Sequence, residues 1–302
     1  MKLIKPSFLI KEQEPGLLGI YRQIEYAGRI CYKSSDKITE DSAKSFVDRM
    51  IISGHGAMLE HGTVYLDFTD DITEARKRYI KNPYSKVYKN TLEEDWDYPH
   101  LYVVTNFRII VENNWLGDLK YMCEPTEFHE KRLSFKITTD KSISHELVRH
   151  RKFSFAQEST RYCNYTKDKF NHELTFILPE LWTKDFFSLN ISLIDSNVFD
   201  NERYNETGNE VDVYNYDNEL LRFFLYSCIE VENLYNKYID NNIKPEEARC
   251  ILPICLKTEI VMTGFESDWK YFLKLRTAKS AHPYMRHLAF IIKSLINKNN
   301  QK

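Results

Sequence analysis

The sequence lacks a long apolar run, and no stretch of its 302 residues approaches the ~20 residues that a helix needs to cross a membrane. The N-terminal residues also lack the apolar core of a secretory signal peptide. The formal net charge is only -2, so no general excess of basic residues points to a nucleic-acid partner. We therefore expect a cytoplasmic protein that binds neither membranes nor nucleic acid.

The sequence also lacks Cys-x-x-Cys pairs, because the nearest two of its six cysteines, Cys250 and Cys255, are five positions apart. This pattern predicts reduced thiols in a cytosolic protein and no metal site. His55, Glu60 and His61 do lie within seven residues. However, two histidines six positions apart do not share one face of a helix, which argues against a zinc helix.

Apolar periodicity predicts a globular mixture of helices and strands. Side chains alternate between apolar and polar in Val64–Phe68 and in Arg132–Ile137, which is typical of strands. Helical periodicity covers residues 218–239. Two less regular stretches are interpreted as a strand at 102–110 followed by a helix at 111–123.

One segment, Arg149–Tyr162, concentrates three arginines, a lysine and a histidine among small polar residues. A guanidinium group stays charged at any working pH and binds phosphate oxygens through a planar fork. The segment is therefore predicted to bind a phosphorylated ligand that also presents a polar ring. In an alternative interpretation, Asp140 caps a helix that reaches Arg151, and the arginines only complement the helix dipole.

The order Arg149-His150-Arg151, seven further residues and then Ser159 resembles the signature of the flavin-dependent thymidylate synthases. The resemblance extends over the whole stretch from Ser144 to Tyr162. Two further pairs of segments resemble the same family and follow the family's order: Ala27–Tyr32 with His55–His61, and Pro245–Pro253 with Phe272–Ala289.

This resemblance implies a FAD-dependent thymidylate synthase, which methylates dUMP to dTMP without an enzyme cysteine as nucleophile. Methylenetetrahydrofolate would supply the carbon, and NADPH would reduce the FAD that provides the hydride. The implied fold is α/β (α+β), a mixed sheet with flanking helices in a homotetramer with shared active sites. Residues 1–302 would form a single domain with an insertion at about 69–130 and a variable polar excursion at about 183–218.

The resemblance also implies roles for individual residues. The cofactor-binding residues would be His55, Arg149, His150, Arg151, Gln157 and His282. The substrate-binding residues would be Glu146, Arg149, Gln157, Glu158, Ser159, Thr160, Arg161, Arg249 and Arg276. Arg161 would bind the phosphate of dUMP in a neighbouring subunit. Arg276 would be catalytic, because a fixed positive charge against the uracil carbonyl and N3 stabilises a developing anion.

Three positions depart from the family's pattern. Ala57 replaces a hydroxyl residue that contacts FAD in some members, and Tyr271 replaces an asparagine that can do so. Glu146 stands where many members have glutamine. A carboxylate near a phosphate is repulsive unless an arginine pairs with it, so Glu146 requires such a partner.

Three other classes of function remain as alternatives. A cysteine-based nucleotide methyltransferase would use Cys163, which follows the motif, as its nucleophile. A nucleic-acid-binding module would use the arginines of 149–161 as a phosphate patch with a steep salt dependence, although the acidic balance of the remaining chain argues against it. A metal hydrolase would use His55, Glu60 and His61. A flavin absorbance spectrum separates the leading interpretation from all three.

Overall fold

The computed structural model describes residues 1–89, 100–167, 170–178 and 219–299. The polar excursion predicted at about 183–218 lies outside the described residues. Of the insertion predicted at about 69–130, residues 90–99 also lie outside them.

The described residues form a mixed α/β structure with flanking helices. Its strands are β1 (Lys2–Ile4), β2 (Ser7–Ile10), β3 (Thr63–Phe68), β4 (Lys86–Lys89), β5 (Leu101–Asn106), β6 (Arg132–Asp140), β7 (Ser154–Gln157), β8 (Thr175–Ile177) and β9 (Lys257–Phe265). Its α-helices are α1 (Gly16–Tyr32), α2 (Ser42–Ile52), α3 (Gly56–Leu59), α4 (Ile72–Ile80), α5 (Phe107–Glu112), α6 (Lys141–Leu147), α7 (Glu219–Asp240), α8 (Pro245–Ala248), α9 (Glu266–Arg276) and α10 (Pro283–Asn299). None of these helices combines the length and apolarity that crossing a membrane requires.

The four-stranded antiparallel sheet has the order β2-β6-β9-β7 and carries the motif segment on its β7 edge. Alternating side chains of β9 point to opposite faces of this sheet. Ile260 and Met262 join the core formed with α9 and α10. Val261 instead contacts Ala27 and Ile30 of α1. Helices therefore cover both faces, and the largest core side chains, which include Trp269 and Phe272, are fully buried.

A three-stranded antiparallel sheet, β3-β5-β4, is built largely from the predicted insertion. Val64, Leu66 and Phe68 of β3 are fully buried, as the alternation in the sequence predicted. A third, two-stranded parallel sheet joins β1 to β8.

The strand predicted at 102–110 is confirmed only as far as Asn106, and the helix predicted at 111–123 was wrong. The strand ends at Asn106, because its side chain accepts a hydrogen bond from the amide of Ile109 at 3.2 Å and so caps α5. That helix ends at Glu112, and Asn114 follows with a φ of 58°. Only a short 3₁₀ helix, Leu116–Tyr121, occupies the remainder of the predicted helix.

Candidate active site

Arg276, the last residue of α9, lies at the centre of a cluster that also contains Glu146 and His150. Its Nη1 donates to Oε2 of Glu146 at 2.8 Å, and its Nη2 donates to the backbone oxygen of Glu146 at 3.3 Å. Its Nε donates to Nε2 of His150 at 2.8 Å. The side chain of Arg276 remains 20% exposed. We call these three residues the Arg276 cluster, and they include the arginine partner that Glu146 requires.

Two packed helices bring the Arg276 cluster together. Asp140 caps α6, because its carboxylate accepts a hydrogen bond from the amide of Ile143 at 2.8 Å. After α6 ends at Leu147, the chain turns and the His150 ring packs edge-on against Phe272 of α9, with centroids 4.8 Å apart. The prediction of a helix that reaches Arg151 was therefore wrong, and the arginines of the motif do not lie in its last turn.

His150 is a hydrogen-bond acceptor in this cluster. Burial, together with the neighbouring positive charge of Arg276, lowers the pKa of His150 to about 4. The imidazole is therefore neutral at physiological pH, and its Nε2 can accept the hydrogen bond from Arg276.

Arg149 and Arg151 are exposed in the turn after α6. Their backbone amides donate to Glu146 and to Arg149, respectively. Within the described parts of the chain, neither guanidinium group makes a hydrogen bond or an ion pair with another side chain. Two permanent positive charges therefore face solvent beside the Arg276 cluster.

Gln157 links α6, the helix that carries Glu146, to the segment that follows β7. Its Nε2 donates to the hydroxyl of Ser144 on α6 at 2.8 Å and to that of Thr258 on β9 at 3.2 Å. After Gln157, the chain turns sharply, because the Ser159 hydroxyl accepts from the amide of Arg161 at 3.2 Å. Thr160 is half-buried in this turn. The backbone amide of Ser159 donates to the backbone oxygen of Cys31 at 3.1 Å and so connects the segment to α1.

Arg161 and Arg249 meet at Glu246 of α8. Nε of Arg161 donates to the Glu246 carboxylate at 3.3 Å, and Nε of Arg249 donates to the Glu246 backbone oxygen at 3.1 Å. Both arginines are exposed. Two residues with predicted roles in phosphate binding thus lie side by side although they are distant in sequence.

Glu158 differs from its neighbours because its side chain points into the protein. It is only 2% exposed, and its carboxylate binds the ammonium of Lys257 at 2.7 Å. Glu259 lies beside this pair and binds Lys33 and Lys136. Although burial favours the neutral carboxyl, the charges of Lys257, Lys33 and Lys136 hold the pKa of Glu259 well below its usual range.

This buried ion cluster was missed in the sequence. Its signal was present in β9, where Lys257 and Glu259 alternate within an otherwise apolar strand. Buried charged residues of this kind require partners, so the alternation predicts an ion network on one face of the sheet.

The other two histidines predicted to bind the cofactor, His55 and His282, lie at the surface. His55 precedes α3, and its Nδ1 lies 3.4 Å from the hydroxyl of Tyr32, whose ring stacks obliquely on that of Tyr162. His282 is exposed before α10, and its backbone oxygen accepts from the amide of Arg286. The described residues contain no group of three or more side chains suited to a metal ion.

Comparison with known proteins identifies the family. The family described as "Thymidylate synthase complementing protein" matches residues 112–299, which include the Arg276 cluster and the Ser159–Arg161 turn. A flavin-dependent thymidylate synthase of Corynebacterium aurimucosum is 24% identical over 279 residues, which are 92% of this chain and 76% of that protein. One of Pyrococcus furiosus is 29% identical over 147 residues, 49% of this chain and 46% of that protein.

A solved structure, a UMP/dUMP methylase of Streptomyces cacaoi bound with 5-Br dUMP, is 15% identical with a TM-score of 0.42. The comparison covers 99% of this chain and 93% of that one. Because the family match alone spans more than half of the sequence, this chain belongs to the thymidylate synthase complementing protein family.

Proposed function

We propose that this protein is a flavin-dependent thymidylate synthase that methylates dUMP to dTMP. Methylenetetrahydrofolate is the carbon donor, and NADPH-reduced FAD is the source of hydride. The observation that carries the proposal is the Arg276 cluster, in which a guanidinium group is fixed by Glu146 and neutral His150 beside the motif segment. Such a fixed charge suits the stabilisation of an ionised uracil ring.

The chain offers separate groups for the two ends of dUMP, and in the proposed homotetramer the phosphate at Arg161 belongs to the nucleotide of a neighbouring subunit. Arg161 and Arg249 meet at Glu246 and can bind a phosphate through charge-assisted hydrogen bonds. Ser159, Thr160 and Gln157 provide neutral donors and acceptors along the intervening segment. Arg276 then orients the uracil ring and stabilises negative charge on its carbonyl and N3. We assign no side-chain contact with dUMP to Glu158, whose carboxylate is bound to Lys257.

The donor set beside the Arg276 cluster fits FAD. The exposed guanidinium groups of Arg149 and Arg151 have no side-chain partner within the described residues, and a diphosphate is the anion that two such groups bind well. His150, Gln157, His55 and His282 complete the predicted cofactor-binding residues. When bound, the flavin supplies hydride transfer, which no amino-acid side chain provides.

We propose that the active enzyme is a homotetramer with shared active sites. Arg149, Arg151, Arg161 and Arg249 lie on open surface, so one subunit alone does not enclose a ligand. A second subunit that covers these arginines would exclude water and strengthen their interactions with phosphate. The proposal includes one domain over residues 1–302. A cytoplasmic location is supported by the six cysteines, all among the described residues, which form no disulfide bond with one another and so suit a reducing compartment.

An absorbance spectrum followed by two assays tests the proposed function. The purified protein should be yellow, and NADPH should bleach its flavin under anaerobic conditions. Release of tritium from 5-tritiated dUMP should then require methylenetetrahydrofolate. A protein that binds no flavin and releases no tritium with all substrates present would overturn the proposal.

Replacement of Arg151 tests the assignment of FAD to the exposed arginines. Loss of a charge-assisted hydrogen bond to the diphosphate should weaken FAD binding by roughly ten- to a hundredfold. Arg151→Ala should therefore purify paler than the parent, as measured by the flavin-to-protein ratio after dilution and washing. Lys152→Ala is the matched control, because Lys152 is the next residue and its side chain is 80% exposed. Equal ratios for Arg151→Ala and the control would contradict the assignment.

Replacement of Cys163 separates this function from a cysteine-based methyltransferase. The Cys163 side chain is fully buried, so it cannot reach a substrate on the surface of the motif segment. Cys163→Ala should therefore retain substantial dTMP formation, measured at saturating dUMP. Complete loss of turnover in a folded, flavin-loaded variant would instead favour the nucleophilic thiol.

A further inference from the structure

The charges beneath the Ser159–Arg161 turn do not balance. Glu158 and Glu259 are the carboxylates of this buried ion cluster, and each has its closest ion pair with a different lysine. Four ammonium groups belong to the cluster: those of Lys33, Lys136 and Lys257 bind its carboxylates, and that of Lys141 binds the backbone oxygen of Glu158. The cluster therefore carries an excess of two positive charges.

Lys141 is the member of this cluster that has no ion pair among the described residues. Its ammonium donates to the backbone oxygen of Glu158 at 3.2 Å and to the hydroxyl of Thr258 at 3.1 Å. Both acceptors are uncharged. Burial lowers the pKa of Lys141, the negative charge of Glu158 opposes this shift in part, and the weaker effects of Lys257 and Arg249 lower the pKa again. The charged form of Lys141 is therefore less favourable here than in water, unless a further anion binds beside it.

The partners of Lys141 place it within the predicted nucleotide site. Glu158, whose backbone oxygen it binds, immediately precedes the Ser159–Arg161 turn. The Thr258 hydroxyl that it binds also accepts from Gln157. Arg249, the nearby positive charge, shares Glu246 with Arg161. Lys141 is half-buried.

We propose that Lys141 is a further ligand of the nucleotide, and that its ammonium binds the phosphate together with Arg161 and Arg249. This inference rests on the proposed function and adds a determinant of specificity to it. A phosphate dianion offsets the excess positive charge of the buried cluster, whereas an unphosphorylated nucleoside does not. Lys141 should therefore contribute to the preference for dUMP over deoxyuridine.

The experiment compares two ligands that differ only in the phosphate. Dissociation constants of dUMP and deoxyuridine are measured by titration calorimetry for the flavin-loaded parent and for Lys141→Met. The substitution keeps the length and apolar character of the side chain but removes its charge. In Lys141→Met, the dissociation constant of deoxyuridine divided by that of dUMP should fall by about ten- to a hundredfold, because one charge-assisted hydrogen bond to the phosphate is lost.

Lys136→Met is the matched control. Lys136 belongs to the same buried cluster, but its ammonium binds Glu259 at 3.2 Å and makes no hydrogen bond to the motif segment. Its replacement should lower the preference for dUMP over deoxyuridine far less than Lys141→Met does, because only the Lys141 ammonium is proposed to contact the phosphate. A purely structural role for Lys141, in which it only anchors the Glu158 backbone, would weaken both ligands equally in Lys141→Met, and that result would overturn the proposal.

Two further measurements keep the proposal falsifiable if Lys141→Met does not fold. Lys141→Arg keeps the charge and should retain most of the preference for dUMP. In the parent holoenzyme, dUMP but not deoxyuridine should protect Lys141 from acetylation by acetic anhydride, as read by peptide mass spectrometry. Equal protection by both ligands, or by neither, would overturn the assignment. A parent that forms dTMP but fails these tests refutes only the role of Lys141, whereas a parent that binds neither flavin nor dUMP refutes the proposed function.

Discussion

We expect Arg276→Ala to lower tritium release from 5-tritiated dUMP by about a hundred- to a thousandfold while FAD stays bound and reducible by NADPH. Uracil is a weak electrophile and a weak carbon nucleophile, so an enzyme that uses no thiol must polarise the ring by other means. We propose that the polarising group is the guanidinium of Arg276, whose three nitrogen donors are aligned by Glu146 and neutral His150. Its loss removes a fixed positive charge that stabilises the transition state more strongly than it stabilises bound dUMP.

Two variants separate this role from a simple cation at the end of a helix. Lys274→Ala removes an exposed charge from the same last turn of α9 and should leave tritium release close to that of the parent. Arg276→Lys keeps a positive charge but loses the planar fork, so it should restore only part of the rate. Near-parent dTMP formation by Arg276→Ala would contradict the role in uracil activation and would make Arg249 the next candidate.

Local patterns in the sequence were sufficient for several of the regular elements. The alternations at Val64–Phe68 and Arg132–Ile137 are confirmed as β3 and β6, and the helical periodicity of 218–239 is confirmed as α7. Asp140 does cap a helix. In each case the decisive interactions are with neighbours in the sequence or with a single apolar face, so they leave a readable period.

Element ends were less predictable, because polar side chains decide them. The carboxamide of Asn106 converts a continuous apolar stretch into a strand followed by a helix. Periodicity alone cannot separate these two states over so short a run. Helix α6 likewise ends at Leu147, where the chain turns so that the His150 ring can pack on Phe272 of a distant helix.

For the candidate site, the sequence indicated residue types but not their partners. The motif predicted arginines that bind a phosphorylated ligand, and the structure leaves Arg149, Arg151 and Arg161 exposed. The bond between Glu146 and Arg276 joins residues 130 positions apart, and no local pattern specifies it. The inward direction of Glu158 was also unpredictable from the motif, because it depends on Lys257 of a neighbouring strand.

The second large effect that we expect is on stability, and it concerns this inward ion pair. Lys257→Met should lower the free energy of unfolding by about 3–5 kcal/mol. The Glu158 side chain is 1% exposed and that of Lys257 is 11% exposed, so water cannot replace the missing ammonium. Nearby Glu259 would also lose a neighbouring positive charge. The measurement is urea unfolding at a fixed protomer concentration, because association of subunits would make the apparent stability concentration-dependent.

We attribute the loss of stability in Lys257→Met to the Glu158 carboxylate that is left buried without a partner, rather than to the lost attraction between the two charges. A double substitution distinguishes these two causes. If the cost comes from leaving Glu158 charged and alone, then Glu158→Gln combined with Lys257→Met should recover a large part of the lost stability, since replacing both members of a buried pair is often close to neutral. Lys44→Met, which breaks the exposed pair with Asp48, should leave stability close to that of the parent. A double variant no more stable than Lys257→Met alone would instead mean that Lys257 stabilises the protein mainly through its other contacts, with Glu259 the first to test.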